Sequence, residues 1–123
     1  MTQCLLVGLG GFIGTLCRYL VGLIPLKTQS GFPTLTFLIN IAGAFAVGLI
    51  AGLAAKRSAL SPNAVLFLRV GICGGFTTFS AFSLETAALL KTGSYGIAAA
   101  YALLSLILGV SAALFAQWLV AAD

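Results

Sequence analysis

Four apolar stretches, each long enough to cross a bilayer, take up almost all of this 123-residue chain. A spanning helix needs roughly 20 mostly apolar residues. Pro25 and Lys27, Pro33, the Lys56-Arg57 pair, Pro62 and Lys91-Thr92-Gly93 punctuate the chain, and the segments between them run over about 3–25, 33–55, 62–90 and 95–120. Charged residues make up 7% and hydrophobic ones 61%, whereas a soluble domain carries about 25% charge to solvate its surface. The expected class is therefore an all-α integral membrane protein, one transmembrane domain over 1–123.

No length remains for a soluble catalytic module or a nucleic-acid platform, so neither enzymatic activity nor a nucleic-acid partner is expected. The net charge of +4 comes from six Lys and Arg against Glu85 and Asp123, and reads as charge flanking helices. The first segment has no basic leader and no convincing cleavage site, so no cleaved signal peptide is expected. Cys4, Cys17 and Cys73 fall inside apolar segments and read as small hydrophobes, not as a disulfide or metal framework.

Flanking charge does not select an orientation. With four spans, the termini and second loop share one side, which carries Lys56 and Arg57, with Arg69 further into the third segment. The first and third loops share the other, which carries Lys27 and Lys91, with Arg18 in the first segment. These tallies balance, and the positive-inside rule then predicts insertion both ways round. Dual topology, with pairing into an antiparallel homodimer, follows as an expectation.

Small residues allow close helix contact where lipid removes the hydrophobic drive for association. Gly10 and Gly14, Gly48 and Gly52 (with Ala44 upstream), and Gly71 and Gly75 each form a small-xxx-small pair. Together they predict a compact bundle. The run Gly8 to Gly14 misses the dinucleotide spacing at Ile13 and opens no βαβ unit.

The third segment carries the most chemical information. Gly74-Gly75 followed by Thr77-Thr78 are poor helix formers at mid-membrane. Irregular backbone at that depth is tolerated only when buried in protein or lining a cavity, and broken helices of this kind form ion sites. A break near Gly74–Thr78 is expected, against the plainer alternative of a kink at a crowded contact. Phe76, Phe79 and Phe82 recur every third residue beside Ser80 and Ser83. A phenyl ring has a positive edge that can face an anion, and hydroxyls can add donors. Asn40 lies midway along the second segment, where an amide is either interhelical glue or part of a site. Tyr101 and Ser105, one helical step of four apart, share a face of the last segment, with Ser111 further along. Arg18 and Glu85 lie near segment ends, where snorkelling competes with a role inside the protein.

These residues together closely resemble the Fluc (CrcB-type) fluoride channels along the whole chain. The most specific match is Gly71-x-x-Gly-Gly-x-Thr-Thr-Phe-Ser-x-Phe82. Gly10-Gly11-x-x-Gly14 with Arg18-Tyr19 precedes it in the first segment, and Thr36, Asn40, Gly43, Phe45 and Gly48 in the second. The sequence departs from the family pattern at Thr15, Leu35, Phe37 and Ala81, the last replacing a common Thr and removing a hydroxyl.

The resemblance implies a dual-topology antiparallel dimer in the bacterial inner membrane, with two fluoride pores each lined by both subunits. It assigns Phe79 and Phe82 to ring-edge contact with fluoride and Asn40 to donation of its amide hydrogen. Ser80, Tyr101 and Ser105 would continue the polar track, and Arg18 and Glu85 would govern ion access at a vestibule. Gly74 and Thr77 would offer backbone carbonyls to a structural Na⁺ on the dimer axis. Passive export is the expected mechanism, since the sequence has no nucleotide motif and no His. The alternative is a small dual-topology proton-coupled multidrug exporter, which would need a carboxylate in its first helix; here that helix has none.

Overall fold

The computed structural model describes residues 1–56 and 59–122. Arg57, counted above in the charge balance, lies outside the described residues with Ser58 and Asp123. Four spans long and apolar enough to cross a membrane make up the fold, and among the described residues there is no strand. They are α1 (Thr2–Gly22), α2 (Thr34–Ala55), a composite third span over Pro62–Lys91, and α6 (Tyr95–Ala122). The first helix ends at Gly22, short of the expected 25, because Pro25 disfavours helical backbone at the residue before it.

The third span consists of α3 (Pro62–Val65), a π-helical stretch over Leu66–Cys73, a short α4 (Gly74–Phe76) and α5 (Phe79–Lys91). Ser61 starts it by accepting the Ala64 amide, and Pro62 follows at the first turn, where its missing N–H costs nothing. It ends in a Schellman turn. The Ser94 amide bonds the Leu89 carbonyl at 2.9 Å and the Gly93 amide bonds that of Leu90 at 3.2 Å, with Gly93 at φ 77°.

The bundle is two tight pairs, α2 along α6 and α1 along the third span, with α5 also reaching α6. Glycines set both contacts. A methyl group added at Gly71 would lie 2.8 Å from the Gly10 Cα, and one at Gly75 would lie 2.5 Å from the Gly11 carbonyl oxygen. A methyl at Gly14 would run into the Ile72 carbonyl, and one at Gly48 into Ala113 of α6. The small-residue pairs of the first and third segments are thus each other's partners. Gly14→Ala is expected to destabilise the protein by about 1–3 kcal/mol through overpacking against backbone. A lowered midpoint for thermal loss of the monodisperse species in detergent checks this.

Little side-chain volume is enclosed by one chain. Ile39, Cys73, Ala98, Tyr101, Ala116 and Val120 form the buried apolar set, while most Leu side chains, and Phe12, Phe79 and Phe115, face outward. In lipid an outward apolar side chain carries no solvation cost, so membrane-facing surface and core are equally hydrophobic.

Candidate functional site

The third span breaks at Thr77–Thr78, both in extended conformation, with ψ of 156° and 113°. The break is held from α2. Asn40 Oδ1 accepts the Thr78 amide at 2.8 Å, and Asn40 Nδ2 donates to the Thr78 carbonyl at 3.0 Å. One side chain thus bonds both the amide and the carbonyl of one residue. An amide nitrogen carries two hydrogens, so the second N–H of Asn40 remains uncommitted by this clasp. Asn40 thus joins α2 to the third span, the interhelical glue its position suggested, and it also lines a cleft.

This clasp changes the bonding of the carbonyls upstream. In a continuous helix the Thr78 amide would bond the Gly74 carbonyl, but it is turned to Asn40. The Ala81 amide would bond the Thr77 carbonyl, but it is taken by the Thr78 hydroxyl at 3.1 Å, the cap of α5. The Gly75 carbonyl is met from α1, where Arg18 Nε donates at 3.2 Å and the Thr15 hydroxyl approaches at 3.4 Å.

Two clefts flank the break, and Thr78 lines both. The first, about 660 Å³, is lined by Asn40, Gly74, Thr77, Phe79, Phe82 and Ser105 among others. The Ser105 hydroxyl is buried and has no hydrogen-bond partner among the described residues. The Phe79 and Phe82 rings lie 5.6 Å apart between centroids, tilted by 34°. Phe76, grouped with them by periodicity, precedes the break and does not line this cleft. The break interrupts the three-residue repeat, so one continuous aromatic face does not form.

The second cleft, about 700 Å³, holds Arg18, Thr36 and Glu85. Thr36 donates to Glu85 Oε1 at 2.6 Å and Tyr101 to Glu85 Oε2 at 2.7 Å, so hydroxyls hold both carboxylate oxygens. Arg18 and Glu85 share the cleft without an ion pair, because Arg18 bonds backbone. Tyr101 is fully buried and joins the two sides, its ring 5.0 Å from that of Phe82 and its hydroxyl on Glu85. Ser80 is exposed, lies outside both clefts, and its hydroxyl sits 3.2 Å from that of Thr78.

The structure therefore brings together Asn40, Phe79, Phe82, Ser105, Gly74 and Thr77 on one side and Arg18 and Glu85 on the other. Sequence reasoning placed the break within Gly74–Thr78 but missed Thr78 as the partner of Asn40 and Thr36 as the partner of Glu85. A hydroxyl beside an intramembrane acid was visible for neither pair, since the partners lie 49 and 16 residues apart.

Fold and site define a four-span membrane protein whose third span breaks midway, with a cleft on either side of the break. Residues 5–117 match the CrcB-like protein, Camphor Resistance (CrcB) family, and the chain belongs to it. A protein of Hyphomonas neptunium named fluoride-specific ion channel FluC is 49% identical over 121 residues, covering 97% of this chain and 95% of that one. Proteins of the same name from Methylobacillus flagellatus and Chlorobaculum tepidum are each 46% identical, over 89% and 98% of this chain and 88% and 95% of theirs.

Proposed function

We propose that this chain is a fluoride-selective passive channel that lets fluoride leave the cytoplasm across the plasma membrane of a bacterium. The observation that carries the reading is the Asn40–Thr78 clasp. It leaves an amide N–H, the unpartnered Ser105 hydroxyl and the Phe79 and Phe82 rings around one cleft. Fluoride is small and strongly hydrated, so a selective path must replace its water with donors and yet release it. Relatives covering nearly the whole chain and named fluoride-specific channels support the same conclusion.

The active unit in this reading is an antiparallel homodimer of dual topology with two pores. Phe79 is 78% exposed in a single chain and lines the Asn40 cleft, so a second copy laid over that cleft would enclose its ring within the pathway. Balanced flanking charge supplies that copy in the inverted orientation. In the dimer, the Gly74 and Thr77 carbonyls of both copies would hold a structural Na⁺ on the axis. The loss of their helical partners to Asn40 and Thr78 fits that assignment, since unwound carbonyls are the usual ligands of intramembrane Na⁺. Bound there, Na⁺ would supply charge that pins the two breaks together. A proton-coupled exporter is disfavoured because α1 offers no carboxylate and both oxygens of Glu85 are already bonded.

Fluoride efflux from liposomes holding the purified protein, with chloride as control, tests the function. A fluoride-specific leak is expected; equal permeability or none overturns it. Reporters fused to the C-terminus should appear on both sides of the membrane, and one-sided signal would refute dual topology. Ser105→Ala offers a further check. A buried hydroxyl without a partner costs stability instead of adding to it, so its removal should not lower the thermal midpoint. Loss of one donor to the ion should still slow efflux by about tenfold.

A further inference from the structure

Arg69 stands apart from every group given a role so far. It lies within the membrane span Pro62–Lys91, is exposed, and lines the same cleft as Asn40, Phe82 and Ser105. The acid among the described residues, Glu85, is held by Thr36 and Tyr101 in the other cleft, so Arg69 has no ion-pair partner there. An ionisable group inside a span normally faces a bundle interior or a watery cavity.

Its position along the cleft follows from the helix directions. Asn40 is level with Thr78, and Arg69 lies nine residues before Thr78, more than two helical turns from the break. Val47 of α2 and Gly109 and Val110 of α6 line the cleft with it, further from the break than Asn40 and Ser105 in each helix. Arg18 occupies the cleft on the opposite side of the break. Each cleft thus carries one arginine, with the donor groups between them.

The winding of the third span turns Arg69 this way. Over Leu66–Cys73 it is π-helical, and the Gly74 amide bonds the Arg69 carbonyl, five residues back. Residues four and five apart then share a face, and Arg69, Cys73 and Gly74 all line the cleft. In an α-helix the fifth residue would stand about 140° away, so Arg69 and the freed Gly74 carbonyl could not both face it.

We propose that Arg69 is the anion-gathering residue of the Asn40 cleft, raising the local fluoride concentration at the end of the pathway opposite Arg18. Its stem is held against the cleft by the π-helical turn, and its charge acts through space on entering ions. A cation in a low-dielectric cleft that no described acid shares focuses the field on small anions, and that field weakens with salt.

This inference rests on the fluoride-channel reading. The test is fluoride efflux from liposomes at low and high ionic strength, set with a non-permeant salt. Arg69→Gln and Arg69→Met should each slow efflux at low ionic strength by about five- to tenfold. The deficit should shrink to less than about twofold in high salt. Arg69→Lys should keep the rate. For the neutral variants the half-saturating fluoride concentration should rise while the maximal rate holds. The Met variant, apolar and similar in length, guards against an insertion defect in the Gln variant. Unchanged rates, as expected of an arginine that merely snorkels to the headgroups, overturn the proposal. So does equal slowing at both ionic strengths, which marks a structural role. Wild-type protein that passes no fluoride would instead overturn the channel reading itself.

Discussion

Asn40→Asp is expected to reduce fluoride efflux about a hundredfold or more, the scale on which loss of one preorganised donor acts in a desolvated site. Asp keeps an oxygen for the Thr78 amide, now at 2.8 Å, so the break itself should survive. It loses the nitrogen that donates to the Thr78 carbonyl at 3.0 Å and sets two acceptors against each other. It also removes the remaining N–H from the cleft and adds negative charge where the proposed substrate is an anion. Reconstituted flux, with size-exclusion chromatography to show an intact assembly, checks the expectation. Wild-type rates in Asn40→Asp would remove this side chain from the pathway and leave it only as interhelical glue.

The second large effect concerns Gly43, one turn along α2 from Asn40. A methyl group there would collide with the Thr77 γ-methyl, beside the break. Gly43→Ala should push the third span away from α2 and loosen the Asn40–Thr78 clasp. The stability cost should be about 1–3 kcal/mol, with a larger proportional loss of flux. Thr77→Ser supplies the rescue, because it deletes the colliding methyl and keeps the hydroxyl that bonds the Cys73 carbonyl at 2.9 Å. The double variant should recover most of the thermal midpoint and efflux. Failure of Thr77→Ser to restore either would mean that Gly43 serves some purpose other than clearance for Thr77.

Much of this arrangement was legible before any coordinates. Length and apolarity alone demanded four spans, because no other use of so little charge is stable. The Gly10–Gly14 and Gly71–Gly75 pairs announced close contacts, although not that they contact one another. The break was visible as Gly-Gly and Thr-Thr at a depth where irregular backbone needs a purpose. It falls at Thr77–Thr78, inside the expected Gly74–Thr78, and what narrows it to those two residues is Asn40 reaching across from another helix. The separation of Phe76 from Phe79 and Phe82 follows from the same event.

Local chemistry therefore determined which residues could not sit quietly in a membrane: Asn40, Arg18, Glu85 and the weak helix formers around Gly74, while Arg69 counted only toward the flanking charge. Sequence order could not determine how those residues divide between two clefts. That depended on helix pairing, with α1 against the third span and α2 against α6. It depended also on a π-helical turn that rotates Arg69 and Gly74 onto one face. Helix pairing and winding are long-range and cooperative, because glycine contacts between distant segments fix them. Each polar group then bonds whatever the packing brings within about 3 Å.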